Sequence, residues 1–295
     1  MSEAAFSQLF DSQQNIRPEF LEVVACNLCG SQRQEIWGRK DGWSIVQCSS
    51  CGLVFVNPRL NEAGMRLVYS EDYFQLQYDN EDTRKRLAMY RIEILDLERT
   101  IRGGRFLDVG AGRGDFLVAL GFHWEKFGCE VNEVAVRYAK DHHRLALTPT
   151  AFTEAGYPGS FFDCVSLRGV IEHVPDPASD LREAFRVLKP GGIVSLNTPN
   201  IDSLCARIYR ENFRLVDPRF HIYYFSTRTM TRLLEQVGFR VIREAYFYLD
   251  TPYANPQADL KAIVNDLHLM ETQLGYRPQS PAFFENVLNI YAEKP

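Results

Sequence analysis

The chain of 295 residues is 45% hydrophobic and 24% charged and carries a formal net charge of −5. That length suffices for one large α/β domain with a small companion. The acidic balance and scattered Lys and Arg argue against nucleic acid as a partner, and Arg84-Lys85-Arg86 reads as a solvated helix face. No apolar run approaches the ~20 residues of a spanning helix, and the first residues lack the basic and apolar regions of a signal peptide, so no membrane contact and a cytoplasmic location are expected.

Residues 1–20 read as an N-terminal arm. In 21–60, four of the seven cysteines form two matched turns, Cys26-Asn27-Leu28-Cys29-Gly30 and Cys48-Ser49-Ser50-Cys51-Gly52, separated by 18 residues. Two such turns present four thiolates to one tetrahedral ion, and the glycine after each second cysteine suits the turn. A redox pair would need a single C-x-x-C opening a helix. The spacing therefore predicts a zinc ribbon with Cys26, Cys29, Cys48 and Cys51 as ligands. A full set of four leaves no open position, so this zinc is expected to be structural, replacing a core that the segment lacks. Cys129 and Cys164 fall in expected strands and read as buried small hydrophobes.

Residues 61–104 read as a helical connector. Leu87, Tyr90, Ile94, Leu97 and Ile101 recur at steps of three and four, one face of an amphipathic helix that lies against the next domain and covers its mouth.

Residues 105–295 read as a doubly wound sheet. Strands are expected near 106–109, 127–131, 145–148, 163–167, 193–197, 240–248 and 286–292, with helices near 115–120, 134–142, 179–188 and 227–237. The run Phe106-Leu107-Asp108-Val109-Gly110-Ala111-Gly112-Arg113-Gly114-Asp115-Phe116 joins a strand to a helix through a turn with glycine at every second position. Such a turn lets the backbone approach a nucleotide. A dinucleotide fingerprint would place its third glycine at position 115, one residue later than Gly114. Asp108 would repel a pyrophosphate but suits a ligand carrying an ammonium and a sulfonium. Glu130, twenty residues after Gly110, stands where a carboxylate accepts both ribose hydroxyls.

These motifs resemble those of the class I S-adenosylmethionine-dependent methyltransferases, in Leu107 to Gly114 and in Gly128-Cys129-Glu130. The likeness continues through Phe162 to Leu167, Val170-Ile171-Glu172-His173-Val174-Pro175-Asp176-Pro177, Arg186 to Gly192 and Pro199-Asn200. It implies a Rossmann-like sheet of seven strands, the last antiparallel, with helices on both faces. It also implies S-adenosylmethionine bound among Asp108, Gly110, Ala111, Gly112, Gly114, Glu130, Val131, Phe152 and Arg168. In that family the segment before the first strand shields the cofactor. Tyr69, Tyr73, Phe74 and Tyr78 fit this role, and fit plain packing equally.

Methyl transfer is an in-line displacement that asks the protein for alignment and for removal of the acceptor's proton. His173 is a candidate base, with Glu172 orienting it or holding a substrate hydroxyl; the pair equally suits a purely structural role. A stretch of roughly 28 residues, 199–226, is longer than the about two to six usual for such a connection. It reads as a substrate-covering insert. It holds Tyr209, Arg210, Arg214, Arg219, His221, Tyr223 and Tyr224, a mixture able to stack on a ring and grip an anion, with His221 a second candidate base.

A four-cysteine ribbon on this core is similar to bacterial sugar and natural-product methyltransferases, including deoxysugar C-methyltransferases, whose longer chains carry an additional C-terminal domain. The expected function is methyl transfer from S-adenosylmethionine to a small-molecule acceptor, by O- or C-methylation. Two alternatives stay open: a protein or RNA methyltransferase that docks through the ribbon, and a non-catalytic adenosyl-binding scaffold. Acceptor identity and oligomeric state are not readable.

Overall fold

A computed structural model describes residues 8–13, 15–68, 83–278 and 280–295; Tyr69, Tyr73, Phe74 and Tyr78 lie outside them. The N-terminal unit contains β1 (Leu21–Glu22), β2 (Gln34–Lys40), β3 (Trp43–Cys48), β4 (Val54–Val56) and β5 (Arg59–Leu60). The hairpin β2–β3 turns through Asp41 and Gly42, both at positive φ. Its inward side chains Trp43, Ile45 and Val46 are buried. The apolar set alone is too small for an independent core. The unit solves this by sharing cores with the rest of the chain: Leu28, Val46 and Phe55 pack in one cluster with Leu107, Val165 and Met230.

After α1 (Glu62–Val68) and α2 (Thr83–Leu97), the chain enters the large sheet with β6 (Gly104–Val109), α3 (Asp115–Ala119), β7 (Trp124–Cys129), α4 (Glu133–His143), β8 (Phe162–Arg168), α5 (Pro177–Val187) and β9 (Leu188–Pro199). Caps fix three of these helix starts: the Asn132 and Asp176 side chains accept from Ala135 and Ser179 N–H, and Gly114 stands in the left-handed region before α3. Then follow α6 (Leu204–Tyr209), β10 (Tyr223–Tyr224), α7 (Thr227–Val237), β11 (Arg240–Ala245), α8 (Pro256–Thr272) and β12 (Val287–Glu293).

The large sheet runs β11-β12-β9-β8-β6-β7. Strands β7, β6, β8 and β9 are parallel, and β12 is antiparallel to both its neighbours, the expected place for the single reversed strand. Among the described residues this sheet has six strands rather than seven. The segment expected as a third strand, 145–148, contributes one parallel bridge, Cys129 to Thr148, on the outer edge of β7. The parallel strands are buried on both faces: Phe106, Leu107, Cys164, Val165 and Leu167 are fully buried, as a sheet covered by helices on each side requires. The strand expected at 193–197 already begins at Leu188, which pairs with Phe162. Among the described residues no helix is long and apolar enough to cross a membrane.

The ribbon sheet runs β10-β4-β3-β2, so its edge strand comes from the insert after β9. Val56 N–H also donates to Ile222 O. The two units are thus joined by backbone pairing as well as by side chains.

Candidate active site

The carboxyl ends of β6, β7 and β8 open onto a cavity of about 930 Å³, within the ~300–1,000 Å³ common for small-molecule sites. Its wall includes Asp108, Gly110, Ala111, Gly112, Glu130 and Val131 from the first two strand ends. Phe152, Arg168 and His173 also line it. Nine of the expected site residues therefore meet in one place. Gly114 stands behind them at φ +78°, where a Cβ would come within 2.5 Å of Leu145 Cδ1; at Gly110, φ +65°, it would come within 2.6 Å of Val170 Cγ2. Both the dihedral and the space demand glycine.

Glu130 is 5% exposed. Its Oε2 accepts from Gly112 N–H (2.9 Å) and its Oε1 from Asn132 N–H (2.8 Å), so the carboxylate holds the glycine turn in shape. Burial raises its pKa, against these N–H groups. Asp108, 4% exposed, is pushed up to about 7 by burial, although the Arg168 guanidinium and the Ser166 hydroxyl oppose the rise.

Arg168 lines the cavity, and its guanidinium is bound from behind: Nε and Nη2 donate to the two oxygens of Glu93 in α2, and its centre lies 4.5 Å from the Tyr90 ring centroid. This pins α2 over the mouth, where Arg86, Met89 and Tyr90 join the lining. The expected apolar face is present: Tyr90, Ile94 and Leu97 are buried. Sequence periodicity missed the acids beside them, Glu93 and Asp96. The latter is gripped by Arg243 (2.6 Å) and accepts from Tyr291 Oη (2.9 Å).

Glu172, His173 and His221 lie close together, and His173 lines the larger cavity. Glu172 is 2% exposed, its backbone O accepts from Ile222 and Tyr223 N–H, and its Oε2 has no hydrogen-bond partner among the described residues. His173 Nδ1 donates to Phe220 O (3.0 Å) and His221 Nδ1 to Leu215 O (2.9 Å). The rings meet edge to face, 4.7 Å between centroids. Burial, and His221 beside it, bring His173 down to about 3; its ring is neutral.

A second cavity of about 180 Å³ shares Met89 and Tyr253 with the first and is walled by Asn197, Arg214, Phe247, Tyr248, Phe283 and Asn289, among others. Of the insert's polar residues, Arg214 reaches this cavity, whereas Tyr209, Arg210, Arg219, Tyr223 and Tyr224 are spent on structure. Tyr209 donates to Asp266 (2.7 Å), Arg210 binds Trp37 O, Arg219 pairs with Asp217 (2.7 Å), and Tyr223 and Tyr224 are buried in β10. The mixture expected to stack on a substrate thus mostly ties the insert down, because each cation lies beside an acceptor of its own. Tyr253 and the aromatic wall from 247 onward carried no motif and were missed.

The four cysteines come together as expected. Cys26 Sγ lies 3.4 Å from Cys51 Sγ and Cys29 Sγ 3.6 Å from Cys48 Sγ, with all four sulfurs within 4.8 Å of one another. The turns close through Gly30 and Gly52 N–H, which donate to Cys26 O and Cys48 O. Burial works against the Cys48 thiolate, yet the Ser50 and Cys51 N–H groups bring it down to about 6; burial raises Cys51 to about 11. Four converging sulfurs of which one is readily ionised fit a cation of zinc's kind.

A family model described as a methyltransferase domain matches residues 75–244, more than half of the chain. An uncharacterized protein of Methanocaldococcus jannaschii is 25% identical over 175 residues, 59% of this chain and 80% of that protein. The ubiquinone biosynthesis O-methyltransferase of Albidiferax ferrireducens is 36% identical over 121 residues, 37% of this chain and 47% of the relative; the chain thus spans about half the length of that enzyme. Among solved structures, a SAM-dependent methyltransferase of Thermotoga maritima, described as a possible histamine N-methyltransferase, superposes with a TM-score of 0.54 at 20% identity, covering 78% of this chain and all of that one. At that identity the likeness speaks for the fold.

Proposed function

The chain belongs to the methyltransferase-domain family, and from that premise we propose that it transfers a methyl group from S-adenosylmethionine, the family's cofactor, to a small-molecule acceptor. The observation that carries this reading is the pair of buried carboxyls, Asp108 and Glu130, at the ends of adjacent strands around one glycine turn in one cavity. Glu130 retains lone pairs for the ribose hydroxyls, Asp108 suits the ammonium, and Phe152 packs on the adenine. The acceptor enters through the second cavity, whose aromatic wall holds a ring and whose Arg214 holds an anionic group. Glu172, His173 and His221 lie together, with His173 lining the larger cavity, and there the acceptor would lose its proton.

The protein aligns the acceptor behind the methyl group and excludes water; α2, held by Arg168, closes the cofactor side. Cys26, Cys29, Cys48 and Cys51 would hold a structural zinc, which supplies no chemistry to the transfer because four protein ligands fill its coordination sphere. Calorimetric titration of the purified chain with S-adenosylmethionine, S-adenosylhomocysteine and NAD tests the reading. Micromolar binding of both adenosyl compounds and none of NAD is expected; absence of adenosyl binding overturns it.

A further inference from the structure

We propose that α8 (Pro256–Thr272) is a pairing surface for a second copy of this chain, the two helices lying antiparallel across a two-fold axis. The helix is mounted with its polarity inverted. Its inward line is Asp259, Ile263 and Asp266, at steps of four and three. Ile263 is the one aliphatic member and shares a core cluster with Trp37, Val68 and Tyr209. The two aspartates are held by tyrosine hydroxyls: Tyr209 and Tyr276 donate to Asp266 at 2.7 and 2.6 Å, and Tyr248 donates to Asp259. An acid turned inward costs free energy unless it is satisfied in this way.

The neighbouring line of the same helix is apolar and stands in solvent. Leu260, Val264 and Leu267, again at steps of four and three, are 52%, 60% and 39% exposed, with Met270 beside them at 40%. Single exposed apolar residues are ordinary, but a contiguous row of them marks a contact surface. Steps of four and three are the spacing at which two helices interlock side chains along a seam.

The charges beside the seam select the occupant. Across Pro256–Thr272 three acids, Asp259, Asp266 and Glu271, stand against one lysine, Lys261, whereas helices that lie on lipid surfaces are rich in Lys and Arg. The row is instead complementary to itself. In an antiparallel pair centred between Val264 and Leu267, Val264 of each copy meets Leu267 of the other, and Lys261 comes level with Met270, beside Glu271. A parallel pair would set Lys261 against Lys261 and Glu271 against Glu271. Antiparallel packing also opposes the helix dipoles, and a two-fold contact of this kind closes as a dimer. One helix pair buries less than about 1,200 Å², the small end of specific interfaces, so the association is weak and reversible.

Sedimentation equilibrium of the full, zinc-loaded chain tests this. The average mass should rise reversibly from one chain toward two between micromolar and near-millimolar protein. Val264→Asp and Leu267→Lys, at exposed positions and checked by circular dichroism and melting, should each weaken association about tenfold or more. Lys261→Glu alone should weaken it about fivefold, and Lys261→Glu with Glu271→Lys should restore it to within about twofold of wild type. A chain that stays monomeric throughout, or a dimer indifferent to both apolar substitutions, overturns the proposal. A double variant no better than Lys261→Glu overturns the antiparallel pairing. Flotation of a monomeric chain with phosphatidylglycerol vesicles, lost in Val264→Asp, overturns it in favour of a lipid surface.

Discussion

Arg168 and Glu93 lie 75 positions apart and form a two-pronged ion pair that fastens α2 to the end of β8. Glu93 is 5% exposed while the Arg168 side chain is 25% exposed on the cavity, so removing Glu93 leaves a partly buried guanidinium without this partner. The cost should fall below the about 3–5 kcal/mol of a fully buried pair. Glu93→Ala should lower the melting temperature and loosen α2 over the cavity, seen as faster amide exchange across 83–97 and weaker cofactor binding. A variant with unchanged melting and unchanged exchange in α2 would dismiss the clamp.

In the proposed complex Asp108 should make cofactor binding depend on pH. Its folded pKa of about 7 lies above the ordinary carboxylate value, so near neutrality the empty site holds much of it protonated. A cationic ligand selects the ionised form. Affinity for S-adenosylmethionine should therefore rise as pH goes from 6 to 8, by up to about tenfold per unit below the pKa. Binding at pH 7 should release a proton, visible as calorimetric heats that differ between phosphate and Tris. In the free protein the sign is opposite: a raised folded pKa contributes stability below the ordinary value of 3.8, which is lost as pH rises toward 7. Asp108→Asn should abolish both dependences. Heats identical in the two buffers would remove Asp108 from the ligand's surroundings.

The parts of this site that were legible in the sequence were those carried by local signals. Gly110 to Gly114 announce a turn because their positive dihedrals admit little else, and the paired cysteines announce a cluster because four donors repeat at one spacing. The unread parts depend on distant partners. Glu93 and Asp96 sit among Ile94 and Leu97, and a reading of apolar periodicity passes over buried acids whose guanidinium partners are Arg168 and Arg243, the latter 147 positions away from Asp96. Helix α8 was missed although Asn255 caps it and Pro256 opens it. Its apolar residues Leu260, Val264 and Leu267 face outward, and of its large aliphatic side chains only Ile263 is buried, so they trace no core-facing stripe. In the insert, residue types suited to ligand binding were visible, but not that Asp266, Trp37 and Asp217 already engage them.

Glu130 has two duties that substitution separates. It accepts from Gly112 and Asn132 N–H, and in the proposed complex it also accepts from ribose. Glu130→Ala loses both, and affinity for S-adenosylmethionine should fall tenfold or more, about 1.4 kcal/mol. Glu130→Gln keeps one accepting oxygen and should lie between. Calorimetry at fixed pH measures both, and unchanged affinity in the alanine variant refutes the assignment.

Removing the metal from the four-cysteine cluster should harm turnover more than cofactor binding. The ribbon's edge strand is β10, which pairs Tyr223 with Phe55 and Tyr224 with Val54 and lies immediately after His221. Arg59 reaches across to Tyr223 Oη (2.9 Å) and Pro175 O (3.0 Å), and Arg228 to Cys51 O (3.2 Å). The cofactor cavity, in contrast, is formed mainly at the ends of β6, β7 and β8. Structural zinc in small ribbons supplies roughly 10 kcal/mol or more of folding free energy. Chelation, or Cys26→Ser, should therefore unfold residues 21–60, lower the melting temperature and cut methyl transfer sharply, while affinity for S-adenosylmethionine declines modestly and added cofactor does not rescue the ribbon. Metal content, amide exchange across 21–60 and single-turnover rates read these effects separately. A purified, folded sample with no metal and full transfer activity would end the structural-zinc reading.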